Sequence, residues 1–308
     1  MNRIFILCGF ILLTLNAIAQ QGEVEGTLST MKSQIVKKTA ITVNDKSIYL
    51  AGNETYVLNI MQRWLGDSLS DVRSNAVVIT GRIASFTKDQ SPRTKAMDML
   101  FKACEDKNTG ISTDAVEYLM QINSKYFTPT HKAAVGLFLH LNQKSLANYF
   151  YLAGYMYAAD HSNTIENLIS TGKLKQKELW QAHLALARLG NKNSMNECNQ
   201  IVNSIPLGND FIKVVVPGII YTRQKFCVDV LVKMLKNNEK ACIPSNPNYT
   251  EPIPCRYRIV EALAAVIDGF PEKVTAEGDL VTNDYDKALQ TSIKWFDAHS
   301  DYKFVEEK

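Results

Sequence analysis

The feature that most constrains this chain is an apolar period of helical length that returns along almost all of it. It is clearest over Leu69 to Ser85, LSDVRSNAVVITGRIAS, where Val72, Ala76, Ile79 and Ile83 fall on one face of a helix. Ser70-Asp71 is a helix-opening signal ahead of that run. Gly81 places a residue without a side chain where a neighbouring helix has to come close.

Related stretches follow in pairs, at intervals of roughly thirty to forty-five residues, the spacing of helical repeats. Glu54 to Leu65 carries Val57, Leu58, Met61 and Leu65 and is closed by Gly66. Pro92 opens a run with Ala96, Met97, Leu100, Phe101 and Cys104, and its mate is Ser112 to Asn123. Thr128-Pro129 opens a wide stripe of Ala133, Ala134, Leu137, Phe138 and Leu141, paired with Ser145 to Ala159. Ile165 to Ser170 and Lys177 to Leu189 form the next pair, ended by Gly190. Ser194 to Val202, Phe211 to Tyr221, Phe226 to Leu235, Arg256 to Ile267 and Asp286 to Phe296 continue the series, with Pro217 expected to kink or shorten its helix. The expected fold is all-α, an α-solenoid of about six helical hairpins over residues 54–300, with 301–308 as a tail.

The first fifty residues differ. Arg3 precedes an apolar run from Ile4 to Leu15, and Ala17-Ile18-Ala19 gives the small-x-small pattern of a cleavage site, so residues 1–19 read as a signal peptide. A run of about twelve apolar residues is too short to span a bilayer as a helix. A lipid-anchor reading would use Cys8, but bulky Leu7 precedes it. Export to the periplasm or the extracellular space, without stable membrane insertion after leader removal, is the expected localisation. Residues 20–53 read as an N-terminal cap, either irregular or a short hairpin in which Ile41 and Val43 pair with Ile48 and Leu50 across Asn44-Asp45-Lys46.

Removing the leader leaves 33 basic against 31 acidic residues, a net charge of about +2, which gives no electrostatic footprint for nucleic acid. Five cysteines remain, an odd number. Cys242 and Cys255 bracket the proline-rich loop IPSNPNYTEPIP and are the expected disulfide, two buried thiols being the alternative. Cys104, Cys198 and Cys227 lie in apolar patterns and read as core. The five histidines fall at no metal-ligand spacing, and no phosphate loop, nucleophile elbow or dinucleotide glycine pattern occurs, so no catalytic residue, cofactor or metal is assigned.

The densest cluster is Asn148 to Tyr157, with five aromatics in nine positions. They cannot all face inward on one helix, so Tyr149, Tyr151, Tyr155 and Tyr157 are candidates for a partner-binding surface. The alternative is that their hydroxyls satisfy neighbouring repeats.

Val72 to Ile83, Leu179 to Gly190 and Cys255 to Val266 can be overlaid without gaps, with Arg256 falling where Arg73 does and Ala264 where Gly81 does. With Asp71-Val72-Arg73, Ala76 and Gly81, this pattern resembles the second helix of a HEAT repeat. The resemblance implies a right-handed superhelical stack with second helices lining a concave face, and structural roles for Asp71, Arg73, Gly81 and Arg256. Trp180 and Glu117 depart from it at the arginine position. The expected function is an exported scaffold, not an enzyme, that binds a protein partner through the concave face. An enzyme or accessory with a site in that groove, as in HEAT-like lyases, and a structural subunit of an envelope assembly are the alternatives.

Overall fold

The computed structural model describes residues 21–41, 52–141, 145–244 and 250–307. They are mostly helical, and the fold is all-α. The proposed leader lies outside the described residues, as do residues 42–51, which hold most of the candidate hairpin. Contacts divide the chain into two compact units, meeting after Ala134.

The first unit starts with a helix, α1, over residues 21–37. This corrects the expectation of an irregular or hairpin cap over that stretch. Val24, Leu28, Met31 and Ile35 stand four, three and four residues apart, share one face and are buried. Lys32 pairs with Asp67 at 2.7 Å, and Tyr56 donates to Glu25 at 2.9 Å. Next come α2 (Glu54–Trp64), α3 (Ser70–Phe86), α4 (Gln90–Ala103) and α5 (Thr109–Leu119). Helix α6 (Pro129–Leu141) begins in this unit and runs across the boundary. Alternate helices lie side by side: α2 packs on α4 and α3 on α5, with α3 also touching α2 and α4. Gly81 is where α3 meets α5, since a Cβ there would sit 2.2 Å from the Tyr118 ring.

Arg73 ties the unit's turns together. Its Nε and Nη2 donate to the Asp106 carboxylate at 2.7 and 3.0 Å, and its Nη1 donates to the carbonyls of Asp67 and Ser68 at 3.0 and 3.1 Å. The acid it pairs with is thus 33 residues ahead, while Asp71 lies two residues before it in the chain. Asp71 is exposed in the first turn of α3, where a carboxylate complements the positive end of the helix dipole.

The second unit holds the rest of α6 and then α7 (Leu146–Tyr155), α8 (Ser162–Ser170), α9 (Gln176–Arg188) and α10 (Lys192–Ser204). A π-helical turn, Phe211–Val215, leads into α11 (Val216–Thr222). Pro217 stands in the first turn of α11, where its missing N–H is tolerated, so the expected kink takes the form of this change of helix type. Helix α12 (Lys225–Met234) follows. Helix α9 is packed by α7, α8, α10 and α11, and buries Ala182, Leu184, Ala185, Leu186 and Ala187. Gly190, at φ 93°, ends it with the left-handed conformation that favours glycine. Alternate helices again lie side by side, α7 with α9, α9 with α11 and α10 with α12.

Helix α13 (Arg256–Ala264) is preceded by a two-stranded antiparallel pair, β1 (Lys240–Cys242) and β2 (Ile253–Pro254). Cys242 and Cys255 form a disulfide, with Cα atoms 5.0 Å apart. After a loop whose Val274 and Leu280 pair as an isolated bridge comes α14 (Tyr285–Ala298). No helix among the described residues is long and apolar enough to cross a membrane.

Candidate functional site

The chain's second unit contains a cleft of about 970 Å³ between the disulfide-closed strand pair, the first turn of α13 and the first turn of α14. Two local features fix its walls. The disulfide ends at Cys255, the residue that caps α13, so Arg256, Tyr257 and Arg258 leave directly from a covalently pinned point. Asp284 accepts from the Lys287 N–H at 2.9 Å and caps α14, which sets Tyr285 and Asp286 in its first turn.

Two crossed pairs join the helices. Tyr257 donates to Asp286 at 2.7 Å, and Tyr285 donates to Glu261 at 3.1 Å, while the two rings lie 5.5 Å apart. Arg258 bonds Glu261 at 2.8 Å and lies 3.6 Å from Asp279. Glu261 is buried, and burial pushes its carboxyl above the usual range against the pull of Arg258. Burial and the nearby Glu261 carboxylate push the Tyr285 hydroxyl up to about 12. Pro244, Pro252 and Pro254 complete a wall of rigid apolar rings.

Arg256 does not repeat the role of Arg73. Its one ion-pair contact is long, 3.9 Å to the exposed Asp286, its guanidinium lies 5.8 Å from the Tyr257 ring, and its buried Nε has no hydrogen-bond partner. It lines the cleft rather than tying turns together.

The four candidate tyrosines are in a different place from the cleft. Tyr149 is fully buried against Phe138, and Tyr155 is buried. Neither presents a surface, so the expectation of a tyrosine-lined binding face fails for both. Tyr151 is half-buried and stacks on Tyr221 at 3.7 Å between centroids, while the Tyr221 hydroxyl donates to the Tyr151 carbonyl. Only Tyr157 is exposed, at 43%. Burial raises the hydroxyls of Tyr151 and Tyr155 to about 12, so both stay neutral donors.

What gathers these rings is Arg188, whose side chain is 1% exposed. Its guanidinium lies 5.3, 4.8 and 4.8 Å from the rings of Tyr155, Tyr157 and Tyr221. Nε donates to the Gly154 carbonyl at 3.1 Å and Nη1 to the Tyr221 carbonyl at 2.6 Å. The Tyr157 hydroxyl accepts from Arg188 Nη2 at 3.3 Å. Sequence reasoning passed over Arg188, although it stands at the place of Gly81 and Ala264 in the overlaid segments, where a large charged residue is out of pattern.

Other candidates resolve simply. Cys104, Cys198 and Cys227 are buried thiols outside the disulfide, and burial raises each, Cys227 to about 11, which keeps them as unreactive thiols. His183 bonds Ser194 at 3.2 Å on a helix flank. Among the described residues no group of His, Cys, Asp and Glu is placed to hold a metal ion. Comparison with protein-family models and with curated proteins finds no match for this chain.

Proposed function

We propose that this protein is an exported helical-repeat scaffold that binds a protein partner, and that the partner's segment lies in the cleft between the strand pair, α13 and α14. The observation that carries the reading is the make-up of that cleft. Tyr257, Tyr285, Arg256 and Arg258 converge beside three prolines, and tyrosine and arginine are the residues enriched where proteins meet proteins. The rim is covalently pinned, which lowers the ordering cost of binding. Export is supported by the disulfide, which persists in oxidising compartments, together with the leader-like first nineteen residues. The HEAT-like reading is supported by alternate helices packing side by side within each unit and by the pairing of Arg73 with Asp106 33 residues on.

The test is capture from an envelope fraction by the wild-type chain and by a Tyr257→Ala/Tyr285→Ala variant of equal melting temperature. The reading expects a defined protein that the wild type retains and the variant loses. The same proteins retained by both would refute it. An enzymatic reading has one observation in its favour, Glu261, a buried carboxyl with a raised pKa and a tyrosine partner, which suits a proton donor. Glu261→Gln tests it, since Gln keeps an acceptor for Tyr285 but cannot act as the proton donor.

A further inference from the structure

The segment after α14 ends against the Arg188 cluster. Arg188 Nη2 lies 2.6 Å from both carboxylate oxygens of Glu307, and Arg223 Nε lies 3.0 Å from one of them. Arg223 Nη1 also donates to the Val305 carbonyl. Beside these, Val305 donates its N–H to the Val266 carbonyl at 3.0 Å, and Phe304 pairs with Ile267 as an isolated antiparallel bridge. The segment is thus held as an added strand is held, by main-chain bonds, with an acidic side chain inserted between two arginines.

The receptor half of this arrangement is positioned by groups outside the segment. Arg188 is fixed by the Gly154 and Tyr221 carbonyls, by Tyr157 and by three tyrosine rings, none of which belongs to the segment. Those partners hold the cation in place but do not neutralise it. A guanidinium so buried needs an anion, since a charge left uncompensated in the interior is strongly unfavourable. Tyr157 and Arg223 sit just past α7 and α11 with φ of 53° and 50°, positions usually given to glycine, and both direct their side chains at this cluster.

We propose that the pocket formed by Arg188, Arg223, Tyr157 and Tyr221 is a carboxylate-binding site for acidic peptide segments, and that residues 305–307 are its tethered internal ligand. The site is distinct from the cleft of the proposed function and does not depend on it. A tethered segment faces its site at an effective concentration of about millimolar, so free acidic peptides gain entry only when it is displaced.

The experiment compares the full chain with one ending at Phe304, each checked for a cooperative melt, in titrations with the acetylated peptide Val-Glu-Glu-Lys and with its Val-Gln-Gln-Lys counterpart. The proposal expects the shortened chain to bind the acidic peptide at least about tenfold more tightly than the full chain does, and the neutral peptide at least about tenfold more weakly than the acidic one. Arg223→Gly in the shortened chain, a residue suited to that backbone, should lower affinity again without lowering the melt. Should the shortened chain not fold, the full chain carrying Glu307→Gln serves in its place, and it should gain binding of the acidic peptide over wild type. Equal binding by full and altered chains, indifference to the peptide's charge, or no binding by the altered chains would each overturn the proposal.

Discussion

Replacing Arg73 with alanine should be among the most damaging single changes in the first unit, and its cost can be worked from its contacts. The side chains of Arg73 and Asp106 are 6% and 9% exposed, so the substitution strands a carboxylate that keeps only the Asn108 N–H at 2.8 Å. It also leaves the carbonyls of Asp67 and Ser68 without that donor. Breaking a buried pair from one side costs about 3–5 kcal/mol, and the lower end applies because Asp106 keeps the Asn108 N–H. For a cooperative unit of this size, about 3 kcal/mol corresponds to a melting temperature lowered by roughly 10 °C. The loss should also depend on pH. Burial alone would raise the Asp106 carboxyl, but the Arg73 and Asn108 bonds outweigh it and hold the carboxyl below its usual range. A depressed carboxylate contributes stability that is present above its unfolded pKa and is lost as pH falls through the folded one. The difference between wild type and Arg73→Ala, measured by calorimetry, should thus be largest near neutrality and shrink in acid. A double-mutant cycle with Asp106→Ala should show the two losses to be far from additive. A loss under about 1 kcal/mol at neutral pH, or one unchanged in acid, would refute the reasoning.

Three further outcomes follow from the same geometry. Gly81→Ala pushes a methyl group into the Tyr118 ring and should destabilise by about 1–3 kcal/mol in urea unfolding, whereas the same change at the uncrowded Gly26 should not. Cys242→Ser/Cys255→Ser should cost about 3 kcal/mol through the opened loop and speed amide exchange in the first turn of α13, with exchange in α3 unchanged. Glu261 has a folded pKa above its unfolded one, so its contribution is present below the unfolded value and fades as pH rises through the folded value. Glu261→Gln should therefore gain stability relative to wild type as pH rises above the usual carboxylate range, read from paired melts.

Most of the helical order was legible in the sequence, because most of the described helices bury an apolar stripe at helical spacing and several ends carry a glycine, proline or Asx signal. The α1 stripe of Val24, Leu28, Met31 and Ile35 has the same spacing and was overshadowed by the β-favouring residues that follow it. Cys242 and Cys255 were legible because the loop between them lacks any period. The burial of Tyr149 and Tyr155 was not legible for a physical reason: facing directions around one helix do not reveal which neighbours close over it. Tyr149 and Tyr155 are covered, and Tyr151 stacks on Tyr221, 70 residues away. The cleft joins residues from β1 to α14, and the Arg188 site joins α9 to Glu307, 119 residues on. No local pattern reports contacts at such separation.

The most direct test of the proposed function is a photo-crosslinker placed at Tyr285, on the cleft wall, with a second at Phe86, an exposed residue on α3, as control. Irradiation in the native envelope fraction should give one defined crosslinked protein from position 285 and none from position 86. No product at 285, or the same products from both positions, would contradict a partner held in the cleft.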